Sequence, residues 1–318
     1  MRMTLPILIF SFLLLPALGF AGDYKPYPYD RSGFEKHPEL AKEWDQLNKE
    51  WAGKIAPSEV LERQLNIMEE FIKKEPKWIE GYWHASHMSF ELGMSSFKDK
   101  KNRDKIAKPI FEKGVKYAKK CLKIQKDNPL CKFYLGVNMG KSGVIDGVLR
   151  VLRNAAPIRD MWVDVTKSPY NHLLKGTVSL QGATRHGLGI WYRLVPDWFL
   201  LDWIFDARGD IDRSVAFHKE SMEIDTPDVC RRTQYAAALL CRSKRNGTQA
   251  DKRAGLAQLG MAVKLPVTNG THAACHQGVF TLRANPMKNS CGFDPLKQQD
   301  TSKEEFEKQN PKEDDAKS

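Results

Sequence analysis

The sequence predicts an all-α protein, a superhelix of paired helices, on three observations. Apolar residues recur at helical spacing along nearly the whole chain, strand-like alternation is scarce, and the connections are short and rich in Pro, Asn, Asp and Gly, as antiparallel neighbouring helices require. The first helix is expected over 38–54. Ser58–Lys74 follows, where Leu61, Leu65, Met68 and Ile72 fall at i, i+4, i+7 and i+11, Ile67 and Phe71 widen the stripe, and Pro76 ends it. Further helices read over 78–97, 104–125, 129–141, 144–165 and 169–186. Asp210 can cap a helix whose stripe is Ile211, Val215, His218 and Met222, ended by Thr226-Pro227. The last two helices run over 227–243 and 249–264.

The helices come in pairs that share a motif. Gly81-Tyr82-Trp83 leads to Leu92-Gly93, and Tyr117-Ala118 with Cys121-Leu122, then Pro129, leads to Tyr134-Leu135-Gly136. A weaker copy runs through Ala216-Phe217, Pro227 and Tyr235-Ala236. Small residues let neighbouring helices approach while aromatics fill the spaces between, so each pair completes its core by stacking on the next. This is the logic of tetratricopeptide (TPR) repeats, but Gly93 and Gly136 are 43 residues apart and Gly136 and Gly182 are 46, against about 34 for the standard unit. The expected fold is therefore a TPR-like α-α superhelix of degenerate helical hairpins.

The N-terminus reads as an export leader. Arg2 precedes the apolar run 5–20, which is short for a membrane span, and Gly19 and Ala21 stand where a signal peptidase reads, with cleavage after Ala21. No cysteine lies near that position to accept a lipid, so the product is expected to be periplasmic or secreted, without a transmembrane span. The rest divides into an N-terminal segment with the first helix (22–56), the helical-repeat domain (57–265), a cysteine-containing loop region (266–297) and a charged tail (298–318), which lacks an apolar stripe and is expected to be disordered. The formal net charge of +11 falls to +10 without Arg2. In an exported chain it argues for solubility, not for nucleic acid.

Six cysteines in an oxidising compartment form the pattern of structural disulfides. Cys121 and Cys131 flank the turn through Asp127-Asn128-Pro129 and are the best pair. Cys230 and Cys241 sit on one expected helix, about 16 Å apart, too far to bond each other. Cys275 and Cys291 flank a Gly, Asn and Pro containing loop that can close on itself, which leaves the partners of Cys230 and Cys241 open.

Catalytic chemistry is not indicated. The chain has no phosphate-cradling glycine loop, no nucleophile elbow, no H-E-x-x-H and no C-x-x-C, and no catalytic residue, metal or cofactor is assigned. His84 and His87 can share a helix face but lack a third ligand at helical spacing, and read as interior or groove-lining residues. His272, Cys275 and His276 cluster without a haem-attachment order, with Cys275 better read as a disulfide partner. Asn246 and Asn269 each begin an Asn-Gly-Thr glycosylation pattern that more often marks a turn. The aromatic segment 188–205 carries Trp191, Trp198 and Trp203 and is too interrupted by Arg193, Pro196, Asp197 and Asp202 to span a membrane. Two readings stand: an apolar docking or oligomer surface, and a loop whose aromatics plug the core, the latter preferred.

The stretch 78–264 resembles the T-components of TRAP transporters, the TatT-like proteins, in the motif GYWHASHMSFELG, in EKGVKYAKKCLKIQKDNPLCKFYLGVNMG, in the helices leading to Ser168-Pro169-Tyr170, and in Leu194-Val195-Pro196 followed by Arg208-Gly209-Asp210. The resemblance implies a periplasmic scaffold or conduit that associates with a solute-binding protein, assembles as a trimer and helps to move an apolar or organic-acid ligand. It names no site residue. The missing lipid-anchor cysteine, the six cysteines and the long tail depart from it. A weaker likeness to the regulators of microtubule dynamics covers the same helical core, although an export leader speaks against a cytoskeletal partner. Under the transport reading Trp83, Trp191, Trp198 and Trp203 line or rim the ligand or partner contact. The alternative is a general envelope adaptor whose concave face binds peptide segments of other proteins.

Overall fold

The computed structural model describes residues 24–309 apart from residue 100. The expected leader and its cleavage position lie outside these residues, as does 310–318 of the tail. The helices are α1 (Ser32–Lys36), α2 (Pro38–Glu50), α3 (Ser58–Lys74), α4 (Ile79–Ser95), α5 (Arg103–Ile124), α6 (Pro129–Asp146), α7 (Ala155–Lys167), α8 (Leu180–Leu194), α9 (Phe199–Phe205), α10 (Ile211–Ile224), α11 (Val229–Asn246), α12 (Gln249–Ala262), α13 (Gly270–Ala284), α14 (Pro286–Asn289) and α15 (Lys303–Gln309). The strands are short: β1 (Lys25–Pro26), β2 (Tyr170–Asn171), β3 (Leu173–Lys175) and β4 (Val178–Ser179). The protein is all-α.

Helices pack on their neighbours in succession: α3 on α4, α4 on α5, α5 on α6, α6 on α7, α7 on α8, α8 on α10, α10 on α11 and α11 on α12. Capping side chains set the starts. Asn128 accepts from the Cys131 N–H ahead of α6, Asp210 accepts from the Asp212 and Arg213 N–H groups ahead of α10, and Asp228 does the same for Arg231 at α11. The small residues of the paired motif meet aromatics, as expected: Gly93 faces the Phe111 ring and Gly136 the Trp162 indole.

Four expectations are corrected. The helix read over 144–165 is broken at Gly147, whose φ of 97° suits glycine alone, and a 3-10 stretch Val148–Asn154 intervenes before α7. The helix read over 169–186 begins only at α8, because 170–179 are taken by β2 and by the β3–β4 hairpin. The two insertions lengthen the repeat beyond its standard unit. The loop region 266–297 contains α13, which Asn269 caps by accepting from the His272 N–H, and α14. The tail read from 298 is ordered through α15: Gln299 is buried, donates to the Val144 and Lys297 carbonyls and accepts from the Val148 N–H.

A strap precedes α1. β1 pairs in parallel with β2, and the strap is pinned to α4 where Tyr29 Oη meets His84 Nε2 at 2.8 Å and the Asp30 N–H donates to Glu80. Cys121 and Cys131 are joined as expected. Cys275 pairs not with Cys291 but with Cys230, and Cys291 pairs with Cys241, with Cα separations of 5.1 and 4.8 Å. The unforeseen α13 carries Cys275 to the side of α11. These three bonds mark a product of an oxidising compartment. Among the described residues, no helix is long and apolar enough to cross a membrane.

Candidate functional site

α13 departs from the simple succession by packing on α11 and reaching back to α4. The curl so formed bounds a half-open cavity of about 270 Å³, lined by α4, α6, α7, α8, α11 and α13 and by the β3–β4 hairpin. Its wall is mostly apolar, with Phe90, Ile158, Trp162, Ile190, Trp191 and Leu174 among the contributors. Trp162 is fixed by an Nε1 bond to the Phe133 carbonyl at 3.2 Å and Trp191 by one to the Ala155 carbonyl at 2.9 Å, so both indoles present apolar faces with their polar edges satisfied.

The charged groups on this wall are paired with one another. Lys175 Nζ lies 3.5 Å from Glu91, Lys141 Nζ 2.7 Å from Asp294, and Arg231 donates to Asp228 at 2.5 Å. Burial by itself would raise the Glu91 carboxyl, but Lys175 and His87 outweigh it and hold the group at about 2. Burial holds His186 neutral, its protonation opposed further by Arg231, and burial likewise lowers His272 although Asp228 pulls the other way. His186 Nδ1 and Thr271 Oγ1, both on lining residues, are buried and lack a protein partner. Among the described residues, no group of three or more His, Cys, Asp and Glu side chains is arranged to hold a metal.

The four tryptophans read as contact residues separate. Trp191 lines the cavity. Trp83 does not: it is buried in an aromatic cluster, stacked on His84 at 3.6 Å. Trp198 is half-buried against Phe306 of α15. Trp203 is 79% exposed on α9, beside Phe199, Leu200 and Ile204, which are exposed as well. The segment 188–205 therefore combines both readings, since Leu188, Trp191 and Leu201 are core while the outer face of α9 is open. α9 is a side excursion, for the chain leaves at Pro196 and returns at Gly209, whose N–H donates to the Pro196 carbonyl at 3.0 Å.

His84 and His87 point to different places. His84 serves the strap, whereas His87 faces the cavity. His272 is a cavity residue, Cys275 is oxidised, and His276 Nε2 meets the Val263 carbonyl at 3.3 Å. Sequence reasoning passed over Glu91, Lys175, Asp228, Arg231 and His186. The one local sign was charge in apolar company, as at Glu91 between Phe90 and Leu92. No protein-family model matches the chain, and a search of the curated proteins gives no match.

Proposed function

We propose that this protein is an exported, periplasmic carrier or conduit that holds a small organic ligand inside its superhelix and exchanges it with a solute-binding protein, in the manner of a TRAP-type transport accessory. The apolar cavity carries the ligand half of the reading: tryptophan faces and aliphatic side chains converge there. The partner half rests on the resemblance of 78–264 to T-components. The exposed stripe Phe199, Leu200, Trp203 and Ile204 offers a face for it.

The test is purification of the mature protein, residues 22–318, from its own envelope in mild detergent, with native mass spectrometry and light scattering. Co-purification of a small molecule, and a trimer carrying a solute-binding protein, support the reading. A ligand-free monomer that captures assorted envelope proteins overturns it in favour of the adaptor, which the α9 stripe alone would serve.

A further inference from the structure

We propose that the cavity takes a neutral, largely apolar molecule bearing a single hydrogen-bonding group, such as a hydroxyl or carbonyl, and discriminates against organic anions and cations. The inference rests on the ligand-holding reading above and narrows its chemistry. Six lining residues carry formal charge, three cations and three carboxylates, and each cation is bonded to a lining carboxylate: Lys175 to Glu91, Lys141 to Asp294 and Arg231 to Asp228. Arg231 is further committed to Asp225. An entering carboxylate finds no free cation. To gain one it must break an existing pair and leave behind a carboxylate that has lost its cation, and the side chains of Asp294 and Glu91 are only 0% and 8% exposed. Such an orphaned buried charge costs more than the new pair returns. The same reasoning rejects an ammonium.

What the wall does leave unfilled is neutral. His186 Nδ1 and Thr271 Oγ1 lie buried without protein partners on α8 and α13. A hydroxyl beside His186 can donate to its Nδ1, and a hydroxyl or carbonyl beside Thr271 can accept from its Oγ1, relieving the penalty of an unmade hydrogen bond. The remainder of such a ligand replaces water against Trp162, Trp191, Ile158 and Ile190.

The experiment compares decanol, decanoate and decylamine, matched in chain and differing in head group, on the full mature protein at neutral pH. Binding is followed by tryptophan fluorescence, to which Trp162 and Trp191 report, and by native mass spectrometry. Decanol is expected to bind at least about tenfold more tightly than either ion. Decanoate or decylamine binding as tightly overturns the neutral preference while leaving the cavity a ligand site. If none of the three binds, and a neutral naphthylamine dye gives no saturable signal, the ligand-holding reading itself falls and this inference with it. Glu91→Gln unpairs Lys175 and is expected to improve decanoate relative to decanol by at least about tenfold. Asp294→Asn does the same through Lys141 and repeats the test if the first variant does not fold. No gain in a folded variant overturns the proposal.

Discussion

The guanidinium of Arg193 donates to the Phe293 carbonyl at 2.8 Å, tying α8 to a segment a hundred residues further on. The same group donates to the carbonyls of Ser290 and Cys291 and to Gln234 Oε1. It is 1% exposed, and burial pushes it down to about 10 while the nearby Asp294 works against that shift. One side chain thus does for the C-terminal segment what a short strand would do with backbone groups. Arg193→Met strands these acceptors and is expected to lower stability by about 3 kcal/mol, read from urea unfolding. Arg193→Lys, which lacks the planar fork, should recover less than half of the loss.

Reduction should loosen the C-terminal half first. The bonds from Cys230 to Cys275 and from Cys241 to Cys291 close loops with sequence separations of 45 and 50, each worth about 4 kcal/mol in the chain-entropy account. Cys121 and Cys131, only 10 apart, stabilise less. Dithiothreitol is expected to lower the melting temperature strongly, and peptide mapping without reductant to recover these three cross-links. A peptide joining Cys275 to Cys291 would contradict the fold around α13.

Gly93→Ala and Gly140→Ala should move stability in opposite directions. A methyl group at Gly93 overlaps the Phe111 ring, and overpacking of this kind costs about 1 to 3 kcal/mol. Gly140 lies in α6 with no atom within 4 Å of an added methyl, so alanine there is expected to stabilise by about 0.5 to 1 kcal/mol. Thermal unfolding of the two variants measures both.

Acid should unfold the protein in two stages. Burial holds His84, His186 and His218 well below 6.5, so the unfolded chain takes up protons first and stability falls as the pH drops past that value. Glu91 gives the second stage. Its carboxyl sits at about 2 in the folded state against 4.5 ordinarily, so its contribution, about 3 kcal/mol, is complete above 4.5 and is lost as the pH falls toward 2. Urea midpoints measured across this range should flatten in the lower stage for Glu91→Gln and in the upper stage for His218→Leu.

Trp203→Ser should leave stability within about 0.5 kcal/mol of wild type, because the side chain is 79% exposed. If α9 meets the partner, the same variant loses capture of that partner at unchanged melting temperature.

How far the fold was legible depended on where the determining partner lay. Ser58–Lys74 was read to its ends because its stripe and Pro76 are local, and Asp210 was recognised as a cap for the same reason. The strands at 170–179 were not legible: β2 exists because β1, far upstream, lies beside it. Cys230 and Cys241 were excluded as mutual partners by the rise of a helix, yet their true partners depend on α13, whose signal was Asn269 at its start and not a clean stripe. The cavity was the least legible feature. Trp191 was named beforehand, but Lys175 reaches Glu91 only through the β3–β4 hairpin, and α13 completes the wall by folding back on α4, contacts that no periodicity encodes.

The strap also opposes the order of synthesis to the order of assembly. Lys25 and Pro26 leave the ribosome early, yet their places opposite Tyr170 and Asn171 exist only once the middle of the chain has been made. Tyr29 and Asp30 can reach His84 and Glu80 sooner, so anchorage on α4 is expected to precede the strand pairing. Closing so long a loop is slow compared with zipping neighbouring helices. The pairing of β1 with β2 is therefore expected to be among the last contacts to form, after the helices beneath it are in place.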